Sequence, residues 1–132
     1  MVYIDDYAHH PDEIKVVYES LSELYPNEKY LVAFQPHLFS RTRDFVEEFA
    51  SILSKFHTVL LLDIYPAREL PIDGVTSEWL LSKISAPIKK IVEFENLDKE
   101  IFAQKNKINV TLGAGNIGEK ANEIKKQLEY AV

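Results

Sequence analysis

The chain has 132 residues, of which 46% are apolar and 27% are charged, a composition typical of one globular domain with a sizeable core. Its net charge of -6 argues against a general nucleic-acid-binding protein, which is usually basic. The absence of cysteine excludes a disulfide framework and a thiolate metal site, and it fits a reducing, cytoplasmic location. No apolar run approaches the roughly 18 residues that a membrane span needs, so no membrane partner is expected.

Residues 5–11 (DDYAHHP) form a polar and aromatic cluster. The cluster follows the first predicted strand, which begins at Val2. Pro11 closes the cluster and can open a helix, since proline is well tolerated at the first helical position. Ligands bind at the carboxyl ends of strands in α/β sheets, so the cluster is a candidate site. Two alternatives stay open: a solvated loop that caps the helix, or a metal site built from Asp5, Asp6 and His9. The chain begins almost directly on this strand, and we therefore expect a fragment of a larger protein.

The rest of the sequence alternates between helical and strand patterns. Apolar residues at helical spacing predict helices over residues 12–25, 40–56, 76–83, 97–102 and 116–129. Residues 30–34 form a short continuous apolar run that predicts a buried strand, and further strands are predicted at residues 59–62, 88–94 and 108–112. Ser40 is expected to cap the second helix, and Asn116 with Glu119 resembles a capping box. This alternation predicts a single α/β domain with a Rossmann-like, mostly parallel sheet and helices on both faces.

Loops at the carboxyl ends of parallel strands leave the same edge of a sheet. Four such loops carry many charged or polar residues: residues 5–11, 35–43, 63–74 and 113–118. Their convergence is a stronger argument for a site than any one loop. Asp63 could orient a metal-bound water or a ribose, or simply cap a turn. His37 and His57 are interpreted as incidental, and Tyr65 and Trp79 as packing residues.

Gly113, Gly115 and Gly118 form a G-x-G-x-x-G pattern between a strand and a helix. A dinucleotide fingerprint would open a βαβ unit, with an acidic residue roughly 20 positions further on. Only 14 residues follow Gly118, so we do not expect that motif. A tight turn is the favoured interpretation. The alternative is an anion site on the helix N-terminus, formed by Gly113, Gly115 and Asn116.

Arg41 and Arg43 fall in the first turn of the second predicted helix. Cations there oppose the helix dipole by roughly 0.3–1 kcal/mol each when exposed. This placement indicates an anionic partner, since the arginine fork suits a carboxylate or a phosphate. A solvated charge is an equally good interpretation for Arg43, whereas Arg41 lies closer to the loop. The sequence has no G-x-x-x-x-G-K-[ST] loop, so the main phosphate cradle of any ATP chemistry must come from elsewhere.

Four blocks of residues resemble, in order, the C-terminal domain of the Mur ligases. They are DDYAHHP at 5–11, FQPH and SRTRD at 34–37 and 40–44, DIYPA at 63–67, and GAGNI at 113–117. The double histidine, His9 and His10, resembles the one in the family members that join L-alanine to UDP-N-acetylmuramate. Murein-tripeptide ligases share the first block but differ in the second, and they remain the alternative. The resemblance extends from residue 2 to the end, so residues 1–132 are expected to be this domain.

The resemblance implies a three-domain enzyme of peptidoglycan synthesis. ATP would phosphorylate the muramoyl carboxylate, and the L-alanine amine would attack the acyl phosphate. A central domain would hold most of the ATP and the Mg²⁺, an N-terminal domain would hold the UDP-sugar, and this domain would bring the amino acid and close over the ATP. The isolated domain is accordingly expected to be inactive.

The resemblance also assigns residue roles. Asp6 would contact the ATP ribose, and His9 and Arg41 would hold the L-alanine carboxylate. The closed site would be shaped by Asp5, Tyr7, His10 and Arg43, with no metal ligand in this domain.

Two positions depart from the family pattern, and two other classes of protein remain possible. Leu38 stands where many members have arginine, and Arg68 where many have glycine. If the missing arginine helps to hold the carboxylate, Arg41, Arg43 or another group must compensate. The competing classes are a stand-alone nucleotide- or anion-binding module and a metal-dependent hydrolase. The hydrolase would use Asp5, Asp6, His9 and Asp63.

Overall fold

Strands and helices alternate along the chain in the computed structural model, which describes residues 1–130; residues 131 and 132 of the predicted domain lie outside the described part. The strands are β1 (Val2–Asp6), β2 (Tyr30–Phe34), β3 (Thr58–Leu61), β4 (Ile88–Ile91) and β5 (Ile108–Leu112). The helices are α1 (Pro11–Leu24), α2 (Phe39–Asp44), α3 (Val46–Leu53), α4 (Ser77–Ser82), α5 (Leu97–Gln104) and α6 (Ile117–Tyr130), and a 3₁₀ turn covers Phe94–Asn96.

The five strands form one parallel sheet in the order β1-β5-β2-β3-β4. This confirms the predicted α/β, Rossmann-like fold. In the register, Asp6 lies opposite Leu112, and Leu112 lies opposite Phe34. The three strands therefore end level with one another, and the loops that follow them emerge side by side at one edge of the sheet.

Helices cover both faces of the sheet, as predicted. One core cluster contains residues of α1, α3 and α4, and the second contains residues of α5 and α6. The central strands β2 and β5 are buried along their whole length. Strands β1 and β2 lead into helices on one face, whereas β5, which lies between them, leads into α6 on the other. In open α/β sheets, ligands bind at the carboxyl edge where the connections diverge in this way.

The predicted second helix is wrong in two respects. It is divided into α2 and α3 at Phe45, which is 41% exposed instead of lying on the buried face. Ser40 does not cap α2, because the cap position is Leu38, whose φ is 76°. Since α2 has only six residues, Arg41 and Arg43 lie in its last turn. The dipole argument for an anionic partner therefore fails, and any such partner must be argued from contacts.

Two further differences concern side chains on helices. Leu24 fits the apolar spacing that predicts the first helix, but its side chain is 68% exposed. The sequence pairs Asn116 with Glu119 in a capping box. In the structure, the side-chain oxygen of Asn116 accepts a hydrogen bond from Gln35 Nε2 at 2.6 Å. Within the described chain, every helix is too short or too polar to span a bilayer.

Candidate functional site

The two aspartates that end β1 are both tied into the fold. Asp5 accepts a hydrogen bond from the Thr111 hydroxyl on β5 at 2.9 Å. Asp6 accepts one from the Ala8 amide at 2.9 Å, which shapes the turn after the strand. Both aspartates are nevertheless exposed, as is Tyr7. Asp6 thus presents a positioned carboxylate at the carboxyl edge of the sheet.

His9 is held in place by groups on both sides of it. Glu13 in α1 accepts hydrogen bonds from the backbone amides of His9 and His10 at 3.1 and 3.0 Å. These two bonds lower the pKa of the Glu13 carboxyl below its usual value, and the bond from His9 has the larger effect. The His9 ring nitrogen Nδ1 lies 3.0 Å from the Tyr7 carbonyl oxygen and 3.5 Å from Glu13 Oε1. The half-buried imidazole is therefore oriented by a carbonyl and a carboxylate.

A row of four rings crosses the carboxyl edge of the sheet. The ring centroids of Tyr7 and His9 are 5.6 Å apart, and those of His9 and His37 are 6.0 Å apart. His37 in turn stacks on Tyr65 at 5.5 Å, with an angle of 19° between the planes. The row joins the loops after β1, β2 and β3. Sequence reasoning left His37 and Tyr65 out of the site, although each closely follows the carboxyl end of a buried strand, as His9 follows β1.

Within the part of the chain that the structure describes, Arg41 forms no ion pair with an acidic side chain. Its Nη1 lies 3.1 Å from the His37 carbonyl oxygen, to which it donates, and 3.3 Å from His37 Nδ1. Among residues 1–130, no carboxylate lies within 4.0 Å of it. Arg43, by contrast, is exposed and pairs with its neighbour Asp44 at 2.8 Å. Arg41 thus has guanidinium donors to offer an outside anion, whereas Arg43 is paired already.

The positive charge of Arg41 also acts on the histidine beside it. Burial lowers the pKa of His37, and the charges of Arg41 and His9 lower it further. A neutral His37 beside a guanidinium leaves one net positive charge at this point of the edge. Such an arrangement suits a small carboxylate better than a cation.

Contacts with the long loop at residues 63–74 hold α2 in place. The Leu38 amide donates to the Tyr65 carbonyl oxygen at 2.9 Å, and the Tyr65 amide donates to the Pro36 carbonyl oxygen at 2.8 Å. The backbone amide and hydroxyl of Ser40 both donate to the Glu69 carboxylate. The position of Arg41 therefore depends on a loop that is distant in sequence.

The glycine-rich turn after β5 is tightly packed. A Cβ atom at Gly113, whose φ is 152°, would lie 2.8 Å from Ile117 Cγ2. A Cβ atom at Gly115 would lie 2.6 Å from both Gln35 Oε1 and Tyr65 Cγ. The same Gln35 oxygen accepts the Ile117 amide at 3.1 Å, so this first amide of α6 already has a partner. These contacts favour the tight-turn interpretation, and the anion site there stays a prediction.

An open cavity of about 430 Å³ adjoins this turn, and its lining includes Gln35, Asp63, Tyr65, Phe94 and Asn116. Asp63 therefore borders this cavity. Within residues 1–130, no three histidine, aspartate or glutamate side chains are grouped so that they could hold a metal ion. The four residues that the hydrolase alternative requires do not form a metal cluster.

The model of the family described as "Mur ligase, glutamate ligase domain" matches residues 1–116. The UDP-N-acetylmuramate–L-alanine ligase of Flavobacterium johnsoniae is 59% identical over 97% of this chain and 28% of its own length. The ligase of the same name from Christiangramia forsetii is 56% identical over the same shares of the two chains. This chain thus spans somewhat more than a quarter of the length of these relatives.

A solved structure supports the fold independently. It is a domain from Haemophilus ducreyi 35000HP, assigned to a UDP-N-acetylmuramate:L-alanyl-gamma-D-glutamyl-meso-diaminopimelate ligase. The TM-score is 0.67 at 19% identity, and the match covers 96% of this chain and 89% of that domain. At this identity, the match supports the sheet topology and the helix arrangement alone.

Proposed function

This chain belongs to the Mur ligase family, and we propose that it is the C-terminal domain of an ATP-dependent ligase that joins L-alanine to UDP-N-acetylmuramate in peptidoglycan synthesis. The observation that carries the proposal is the Arg41 fork, which lies at the carboxyl edge of the sheet without an acidic partner among the described residues. Relatives more than 50% identical over nearly the whole chain carry the name of this ligase.

In this proposal, Arg41 binds the carboxylate of L-alanine and His9 completes the amino-acid pocket. A guanidinium matches a carboxylate in shape and charge, and it keeps its charge at every physiological pH. Leu38 offers no second cation, so Arg41 carries this contact without a neighbouring arginine. The paired and exposed Arg43 shapes the rim, together with Asp5, Tyr7 and His10.

The residues present also fit a nucleotide at one point. Asp6 presents an exposed carboxylate acceptor, which suits a ribose hydroxyl group. ATP would supply the chemistry that activates the muramoyl carboxylate. The described residues offer no cluster for Mg²⁺, so we assign the metal and most of the ATP contacts to a central domain of the parent protein.

Delivery of L-alanine by a separate domain has a physical advantage. An activated carboxylate is lost to hydrolysis if water reaches it, and a domain that closes after loading excludes that water. We propose that this domain closes against the central and N-terminal domains of the same cytoplasmic polypeptide. The UDP-sugar would be bound outside this domain.

The full-length parent protein tests the proposal. It would be given ATP, Mg²⁺ and UDP-N-acetylmuramate with alanine, glycine, serine or no amino acid, and phosphate release and product mass would be followed. We expect turnover that depends on alanine, a product heavier by one alanyl residue, and no turnover by the 132-residue chain alone. A parent protein that forms no product with any of these amino acids would overturn the proposal.

A further inference from the structure

The two histidines of the ring row face different hydrogen-bonding partners. Nδ1 of His9 lies 3.0 Å from a carbonyl oxygen, which can only accept, so Nδ1 must carry the hydrogen. Nδ1 of His37 lies 3.3 Å from Arg41 Nη1, which can only donate, so this Nδ1 must be the acceptor. In their neutral forms, the hydrogen bonds therefore assign His9 a bare Nε2 and His37 an Nε2–H group.

These opposite tautomers give the site a polarity. His37 Nε2–H and the Arg41 guanidinium are donors, which suit a carboxylate. The bare Nε2 of His9 repels a carboxylate, but it accepts a hydrogen bond or a proton from an ammonium group. An α-amino acid carries both groups on one carbon, so the neighbouring rings of His9 and His37, 6.0 Å apart, offer a partner of the right kind to each.

We propose that His9 is the proton acceptor for the α-ammonium group of the amino-acid substrate, and not a ligand of its carboxylate; this rests on the function proposed above. An ammonium nitrogen has no lone pair and cannot attack an activated carboxylate. In the proposed step, an N–H bond of the ammonium breaks and an Nε2–H bond forms on His9. The products are a neutral amine with a lone pair and an imidazolium.

The surroundings of His9 favour this step. Glu13 Oε1 lies 3.5 Å from Nδ1, so an ionised carboxylate stands beside the imidazolium that forms. A base oriented by a third group on its other nitrogen is the usual arrangement of an activated histidine. The other titratable or charged groups around His9 are His10 at 4.9 Å, Tyr7 at 5.6 Å and His37 at 6.0 Å between ring centroids, with Arg41 behind His37.

The first test is the pH profile of the full-length protein with L-alanine. His9→Gln places an amide oxygen near the position of Nε2, so it can accept a hydrogen bond but cannot take a proton. We expect its KM for alanine to change little and its kcat to fall by about 10²- to 10⁴-fold, the usual contribution of a general base. The remaining activity should rise with pH as the free amine forms, over a range where the wild-type rate is constant. His57→Gln, at the opposite edge of the sheet, is the matched control and should leave the profile unchanged.

Hydroxylamine is a useful second nucleophile because its nitrogen is already unprotonated at neutral pH. We expect His9→Gln to use it at nearly the wild-type rate. A His9→Gln profile parallel to that of the wild type, or equal losses with both nucleophiles, would overturn the proposal while leaving the ligase function intact. A wild-type protein without alanine-dependent turnover would instead overturn the function itself.

A spectroscopic measurement reads the histidine tautomers in the wild-type protein itself and needs variants only to assign the signals. The full-length wild-type protein would be labelled with ¹⁵N-histidine, and its signals would be assigned from single histidine variants. We expect neutral His9 to carry its hydrogen on Nδ1 and neutral His37 on Nε2. A His9 signal with the hydrogen on Nε2 would overturn the proposal.

Discussion

Gly115 and Gly118 form a matched pair that tests how the glycine-rich turn is packed. A methyl group at Gly115 would meet Tyr65 Cγ and Gln35 Oε1 at 2.6 Å and Tyr65 Cβ at 3.0 Å. Tyr65 cannot easily yield, because the atoms met are close to its own backbone, and Gln35 is held by its bond to the Ile117 amide. A methyl group at Gly118, in the first turn of α6, would meet nothing within 4 Å.

The expected free energies of unfolding follow from these contacts. Overpacking costs about 1–3 kcal/mol, so Gly115→Ala should destabilise the domain by that amount. Gly118→Ala should stabilise it by about 0.5–1 kcal/mol, because alanine favours the helix. Urea unfolding of the 132-residue chain, followed by circular dichroism, measures both variants. A Gly115→Ala variant as stable as Gly118→Ala would refute the packing argument.

Two further predictions concern charged groups. Because the Glu13 carboxyl has a lowered pKa in the folded state, its contribution to stability is present above its usual pKa of about 4.5 and is lost as the pH falls further. Glu13→Gln should therefore make the free energy of unfolding less dependent on pH in acid, and an unchanged acid profile would contradict this. Lys120→Met should lower the free energy of unfolding by about 3 kcal/mol. The ammonium group of the buried Lys120 lies 3.7 Å from Asp98 Oδ1, and the substitution leaves this carboxylate without its positive neighbour. Lys125→Met, on the exposed face of α6, is the control, and equal urea midpoints for the two variants would exclude a role for the buried pair.

The sheet and the edge that carries the candidate site could be predicted because their signals are local. Residues 30–34 are a short apolar run, and residues 108–112 carry apolar side chains at every second position; both are fully buried central strands. Pro11 indicated the start of α1, and the structure confirms that start. The break at Phe45 could not be predicted, because Phe45 continues the helical spacing of Phe49 and Ile52. A long-range backbone contact between Leu38 and Tyr65 helps to place this segment.

The candidate site was predicted in part for a similar reason. Asp6 and His9 lie at the predicted edge, where residue type and position after β1 indicated them. Arg41 also lies near this edge, but the dipole argument for it fails, and its role was assigned by the resemblance to the Mur ligases. His37 and Tyr65 were left out because their stacking depends on a bridge between two loops 28 residues apart. The tautomers of the histidines likewise follow from three-dimensional contacts, which no local pattern reports.

The central claim is that Arg41 binds the carboxylate of the amino acid. The most direct measurement is the KM for L-alanine of the full-length protein, compared between wild type, Arg41→Ala and Arg43→Ala. Loss of a hydrogen-bonded charge contact costs about 1.5–3 kcal/mol, which predicts a rise in KM of about 10- to 150-fold for Arg41→Ala. Arg43→Ala, which loses only an exposed pair with Asp44, should stay within about twofold of wild type. An unchanged KM for Arg41→Ala, in a protein that still turns over alanine, would contradict the account.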